Sequence, residues 1–314
     1  MSSYSLNGYL AALQMRGGIS LLVEGSNDVK IVARVVIELE HLHRVDTTNI
    51  AIDPVSLIED SELPYGNRTA VEYVVILASK EMLPLAGFVD REFRDFEVHT
   101  SLVDHLHEHK NDASLFWTRG HSIENYFFCE KYITAYLRMK FPELLTRPCF
   151  SLISSHILDI IEVAAAVSLS ARDLNMLDKC RGICRYHYWS FSESQNIQFD
   201  YLSFSKVLEG RGATPAQIID FCIRYKDYLH RLASCSDSKL RRWIAHGHIG
   251  WEFLWSGIAS LLYRCGTTKE VVESVCQGHY EEKLRHLADY WARDISDNAI
   301  ESPVFLWQWL EASL

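Results

Sequence analysis

A pair of short apolar runs, each ending abruptly in an acid, constrains this fold more than any other feature. Ile19-Ser20-Leu21-Leu22-Val23 stops at Glu24-Gly25, and Leu83-Pro84-Leu85-Ala86-Gly87-Phe88-Val89 stops at Asp90-Arg91-Glu92. Nearly continuous apolar runs of this length fit strands buried on both faces, the kind found in parallel sheets covered by helices. The sequence between them supplies such covers. An amphipathic helix is expected behind an N-cap at Ser26 or Asn27 and on to about His43, and a second strand from Asn49 to Asp53. A polar loop from Glu59 to Arg68 then leads into a helix from Thr69 to about Glu81. One more strand is expected over Ala113 to Trp117, before the turn Thr118-Arg119-Gly120. Strands alternating with helices predict a parallel sheet with crossover connections.

Beyond Ser122 the apolar spacing becomes helical. Helices are expected over Tyr126 to Phe141, Leu152 to Ser168, Pro215 to Leu232, Leu240 to Tyr263 and Thr267 to Asp294. Pro142, Pro148, Pro215 and the Gly210-Arg211-Gly212 turn punctuate them. The expected architecture is therefore α/β over residues 1–130, followed by a mainly α-helical domain over 131–314 for substrate binding, dimerisation or partner docking.

Of the 314 residues, 48% are hydrophobic and 23% charged, which excludes wholesale disorder. No uninterrupted apolar run reaches the roughly 20 residues of a bilayer span. Ile31 to Ile37 contains Arg34, and Gly257 to Tyr263 ends at Arg264. The first residues, Met1 to Gln14, lack the basic start and apolar middle of a signal peptide, so a cytoplasmic protein without membrane attachment is expected. The eight cysteines include no C-x-x-C pair. Cys180 and Cys184 lie one helical turn apart near His187, and buried thiols are the expectation there over a metal site.

The net charge of −10 shifts attention to local patches. Arg181 and Arg185 run with Tyr186, His187, Tyr188 and Trp189, and Arg231, Lys239, Arg241 and Arg242 run with Trp243. Basic residues interleaved with aromatics suit phosphate contacts plus base stacking; the alternative is a solvated helix face with its rings turned inward.

The acids carry the chemistry. In an open parallel sheet, functional residues collect beyond the carboxyl ends of the strands. Asp90 and Glu92 are two apart, so in extended chain both side chains point the same way, while Glu24 arrives at that edge from a neighbouring strand. Three converging carboxylates repel one another, and a divalent cation relieves the repulsion. Mg2+ suits such oxygen ligands, with Mn2+ as a substitute, and phosphoryl chemistry follows from a bound ion that polarises a phosphate and activates water.

At these residues the sequence resembles the TOPRIM domain shared by topoisomerases, bacterial primases and OLD-family nucleases. Leu22-Val23-Glu24-Gly25-Ser26-Asn27-Asp28 is similar to its first motif, and Ala86 to Phe93 to its second. A closer likeness lies in His121-Ser122-Ile123-Glu124-Asn125-Tyr126 and in Trp243-Ile244-Ala245-His246-Gly247-His248 followed by Trp251-Glu252-Phe253-Leu254. These resemble segments of the AriB-like effector family of the PARIS anti-phage defence system. The resemblance implies a toxin-like, metal-dependent nuclease held inactive by an ABC-type ATPase sensor subunit. On phage infection such an effector is released, dimerises and cleaves tRNA.

The resemblance also assigns roles. Asp90 becomes the principal Mg2+ ligand, Glu24 a general base or the ligand of a second ion, and Glu92 the third carboxylate. The D-x-E spacing departs from the D-x-D of many TOPRIM nucleases, because glutamate reaches one methylene further; Asp95 is a substitute ligand. Additional candidates are Asp28, which otherwise serves the first turn of its helix, Glu124 in the first turn behind Ser122, and His121 as a phosphate contact. Arg241, Arg242, His246 and His248 are assigned to substrate binding, against packing or capping roles. Trp251, Trp255, Trp291, Trp307 and Trp309 are expected in helix packing or an oligomer interface. Competing readings are an OLD-type DNA nuclease and a non-catalytic subunit that uses the fold to bind a partner. No Walker motif is present, so any ATP dependence belongs to a partner.

Overall fold

The structure, a computed structural model, describes residues 3–43, 46–106, 111–112, 114–142, 147–192, 196–235, 237 and 239–294. The chain forms two compact units. The first comprises 1–91, 106–123 and 284–314, and the second 92–105 and 124–283. A division at residue 130 treats the sequence as a string cut once. The chain instead leaves the first unit after Arg91, returns at Leu106 and returns again at Leu284.

Helix α1 (Leu6–Arg16) opens the first unit with Leu6, Tyr9, Leu10 and Leu13 buried on one face. The Ser5 side chain accepts the Gly8 N–H at its start, and Gly17 closes it at φ 62°. Strand β1 (Ile19–Val23) is buried throughout, and α2 (Ser26–His43), β2 (Ile50–Pro54), α3 (Asn67–Lys80) and β3 (Leu85–Val89) follow. The short hairpin of β4 (Phe96–Val98) and β5 (Leu102–Asp104) belongs to the second unit. Strands β6 (Asn111–Asp112) and β7 (Leu115–Trp117) lie in the first.

The resulting sheet has the order β2-β1-β3-β7-β6, in which β2, β1, β3 and β7 are parallel and β6 runs antiparallel. The α/β expectation holds for this part of the chain. Alternation along the strands explains the packing. Leu22, Leu85, Val89, Leu115 and Trp117 join a core with Leu10 and Leu13 of α1 and Val71, Val74 and Val75 of α3. Gly87 is required on that face, because a Cβ there would stand 2.7 Å from Leu115 and 2.8 Å from Val75. Arg16 and the Tyr9 hydroxyl both bond the Asp53 carboxylate, which ties α1 to β2.

The second unit is mainly helical: α4 (Glu130–Lys140), α5 (Arg147–Asp173), α6 (Leu177–Cys180), the hairpin β8 (Trp189–Phe191) and β9 (Ile197–Phe199), then α7 (Tyr201–Gly210) and α8 (Pro215–Ala233). After these come α9 (Leu240–Ile244), α10 (Gly247–Arg264), α11 (Lys269–Gln277) and α12 (Tyr280–Ala292). Only the first turn of α12 belongs to this unit.

Two long helices expected from the sequence are each broken in two. The Leu240–Tyr263 stretch breaks where Ala245 and His246 turn extended, at ψ 131° and 126°. The Thr267–Asp294 stretch breaks at Gly278 and His279, the latter at φ 59°. Helical spacing persists across both breaks, so apolar periodicity alone does not reveal them.

Helix α5 packs against α8 and α10. By length and composition it could cross a membrane, but most of it is buried inside the unit. Its apolar sequence is interrupted by Asp159 and Glu162, which is why counting uninterrupted runs passes over it. Trp251, Trp255 and Trp291 are buried as expected of packing residues, and Trp307 and Trp309 lie outside the described residues.

Candidate functional site

The sheet itself selects one place in the first unit. From β1 the chain goes to β2 on one side and then to β3 on the other, so the order reverses at the β1/β3 pair. Crossover helices leave a crevice there, beyond the carboxyl ends of the two strands. Val23 pairs with Phe88, so Glu24 and Asp90 leave the sheet within one residue of the same level. Both are half-buried. The Asp90 N–H donates to Glu24 Oε1 at 2.8 Å, and the Ile123 N–H donates to Asp90 Oδ1 at 3.1 Å. Each carboxylate is thus aimed by a backbone amide.

The neighbouring residues reinforce this edge. Ser26 is already helical, so Gly25 rather than Ser26 or Asn27 sits at the cap of α2. Asp28 reaches back from the first turn to accept the Gly25 N–H at 2.8 Å, the helix-capping role. Arg91 is only 1% exposed. Its N–H donates to Thr118 Oγ1 at 2.9 Å and its Nη1 to the Arg119 carbonyl at 2.9 Å, while Thr118 Oγ1 donates to the Gly120 carbonyl at 2.8 Å. The turn after β7 is therefore a buried polar strut beneath Asp90. His121, read from sequence as a phosphate contact, is 6% exposed within it.

Glu92 differs from the expectation. Pointing Asp90 and Glu92 the same way requires extended chain, and the strand ends at Val89. Glu92 is exposed, has φ 56° and opens the second unit; Asp95, also exposed, has φ 58°. Among the described residues no group of three or more His, Cys, Asp or Glu side chains is placed to hold a metal ion. The structure gathers the Glu24–Asp90 pair. That donor set fits Mg2+, which is commonly held by one or two carboxylates with water and substrate phosphate completing its shell.

In the second unit the two motif segments meet. Asn125 Nδ2 donates to the carbonyls of Arg242 and Ala245, the latter at 2.8 Å. The Tyr126 ring lies edge-on to Trp243 at 5.3 Å. Gly250 admits Phe128, whose ring would stand 2.5 Å from any Cβ there. Glu124 is 6% exposed and accepts from the Tyr280 hydroxyl at 3.4 Å.

The four residues assigned to substrate binding sit around this joint in different settings. Arg241 is ion-paired with Glu162 of α5, and Arg242 is 5% exposed with its guanidinium 4.1 Å over Trp243. Neither offers an open guanidinium to a phosphate. His246 precedes α10, its N–H donating to Ser168 Oγ at 3.0 Å; burial, then His248 and Arg181, pushes its pKa down to about 3. His248 is exposed, its ring 5.9 Å from that of His246. Of the other basic patch, Tyr188 and Trp189 are turned inward, and Arg185 remains half-exposed. Cys180 and Cys184 are buried thiols, and burial raises Cys180 to about 12.

Sequence reasoning missed Arg91, Asn125 and the buried face of Glu252. No protein-family model matches the chain, and no match to it is found among curated proteins.

Proposed function

We propose that the chain is a Mg2+-dependent nuclease of the TOPRIM type, acting as a toxin effector in phage defence by cleaving tRNA. The observation that carries this reading is the amide-oriented Glu24–Asp90 pair at the strand-order reversal of a parallel sheet. Asp90 serves as the principal ligand and Glu24 as second ligand or general base. An ion held by these carboxylates would polarise a scissile phosphodiester and lower the pKa of a water. The chain's own contribution is positional: backbone amides fix both acids, and the Arg91 strut holds the loop that supplies the Ile123 N–H. The motif segments joined through Asn125 support the further assignment to a defence effector restrained by an ABC-type ATPase and active as a homodimer.

The test is to induce wild type, Glu24→Ala and Asp90→Ala at equal levels, each with the ATPase partner and a phage trigger, while following growth and tRNA integrity. Growth arrest with tRNA fragments in wild type alone is expected. Indistinguishable behaviour of all three removes the acids from catalysis and leaves a partner-binding module; DNA breakage with intact tRNA moves the substrate class to DNA.

A further inference from the structure

The second unit holds a cavity of about 250 Å3 whose walls include Arg185, Trp251, Glu252, Gln277, Tyr280 and Lys283. It is smaller than the roughly 300–1,000 Å3 of pockets for drug-sized ligands, a size that suits one heteroaromatic ring system. Trp251 and Tyr280 form an aromatic corner, their rings 5.0 Å apart and inclined at 64°. Opposite chemistry comes from Glu252. Its carboxylate lines the cavity, with Oε1 accepting the Gly182 N–H at 2.5 Å and the Cys184 N–H also directed at the group. An ionised carboxylate has about four acceptor sites, so two backbone donors leave capacity for the donors of a ligand. The cations are divided in role. Lys283, 2% exposed, donates to the Val275 carbonyl at 2.5 Å and sits 4.4 Å over Trp255, so it belongs to the wall. Arg185 is half-exposed, with Nη1 on the Cys184 carbonyl at 2.8 Å.

We propose that this cavity binds a single guanine nucleotide, its base at the Trp251–Tyr280 corner, its Watson–Crick N–H donors on Glu252, and its phosphate toward Arg185. A carboxylate accepts and does not donate. Guanine places a ring N–H and an amino group side by side on one edge. Adenine and cytosine place a ring acceptor beside their amino group, which a carboxylate repels. Uracil sets its one N–H between two carbonyls. The assignment of the nucleotide to RNA rests on the nuclease reading, since enzymes that read a single base commonly extrude it into an aromatic-lined pocket. A free guanine nucleotide is the other source of the same chemistry.

The experiment titrates the full chain in EDTA, so that no metal-dependent cleavage intervenes, with GMP, AMP, CMP, UMP and guanosine. It adds single-stranded RNA decamers containing one guanine or none. GMP is expected to bind at least tenfold tighter than the other nucleotides. Glu252→Gln should weaken GMP at least tenfold and erase the preference. Arg185→Ala should lower GMP to the affinity of guanosine, a comparison that stands even where Glu252→Gln does not fold. A guanine decamer binding tighter than GMP identifies an RNA nucleotide; equal or weaker binding identifies a free one. Equal affinity for all four nucleotides, no binding, or wild-type affinity in folded Glu252→Gln overturns the proposal. Cleavage of tRNA by wild type with Mg2+ is scored separately, so loss of the nuclease reading and loss of the guanine pocket are told apart.

Discussion

Acids in the two units are handled in opposite ways. In the first, Glu24 and Asp90 stand at the open end of adjacent parallel strands, half-buried, each aimed by a main-chain N–H. In the second, Glu162 is locked to Arg241 inside a helical core, and Glu252 lines a cavity while accepting the Gly182 N–H. Burial raises the pKa of both Glu162 and Glu252 against their favourable partners. A sheet edge gathers acids where the strands stop, and there Glu24 and Asp90 are half-buried. A helix bundle surrounds its acids, so each needs a cation, an amide or a ligand. The first arrangement suits a hydrated ion, and the second suits recognition of a donor-bearing molecule.

The largest effect expected from this contrast is catalytic. Glu24→Gln or Asp90→Asn should lower Mg2+-dependent cleavage by about 10³-fold or more while leaving the melting temperature near that of wild type, since each amide keeps an oxygen for the same backbone N–H. Added Mg2+ should raise Tm in wild type and not in either variant. A variant that unfolds instead would make the pair structural and erase the contrast.

His246 offers the next test. Its ionisation falls from an ordinary 6.5 to about 3 in the folded chain. Below 6.5 the unfolded chain takes up this proton and the folded chain does not, so stability is full above pH 6.5 and falls as pH drops toward 3. The loss is on the order of 2–4 kcal/mol. Denaturant unfolding across that window should be flatter by this amount in His246→Asn. An unchanged pH profile would show an imidazole open to water. Gly250→Ala should destabilise the second unit by roughly 1–3 kcal/mol through overlap with Phe128, leaving activity per folded molecule intact.

The smallest stability effect is expected at Glu92, where glycine suits the left-handed backbone. Glu92→Gly should change stability by no more than about 1 kcal/mol, in the stabilising direction. Its cleavage rate then reports whether the side chain serves the site: a fall comparable to Asp90→Asn makes Glu92 a ligand, and a wild-type rate leaves the pair alone.

Legibility in the sequence follows the range of each interaction. Strands β1 and β3 are readable because burial on both faces leaves no polar alternation, and the acids at their ends mark where the sheet stops. Helix α1 is equally local, with Leu6, Tyr9, Leu10 and Leu13 at helical spacing between Ser5 and Gly17, yet inspecting those residues only for a signal peptide overlooks it. The hairpins at 96–104 and 189–199 have three-residue strands, too short for a period of two to register. Asn125 bonds carbonyls 117 and 120 positions away, and Arg91 ties down a turn 28 positions away. Glu252 looks like any acid on a helix, because Gly182 lies 70 positions earlier. Glu24 and Asp90, 66 positions apart, could be read together because each marks the end of a buried strand; contacts without such a local marker could not.

The return of α12 to the first unit governs when that unit can exist. Leu284, Leu287, Ala288 and Trp291 are buried, and Arg34 and Glu38 of α2 pair with Asp289 and Arg293 at 3.4 Å and 2.9 Å. Synthesis proceeds from the N-terminus, so Glu24 and Asp90 emerge from the ribosome long before the helix that completes their unit. A nascent or prematurely ended chain carries both acids without the full body that supports them. The order of translation thereby delays completion of the site until residues 284–292 have been made.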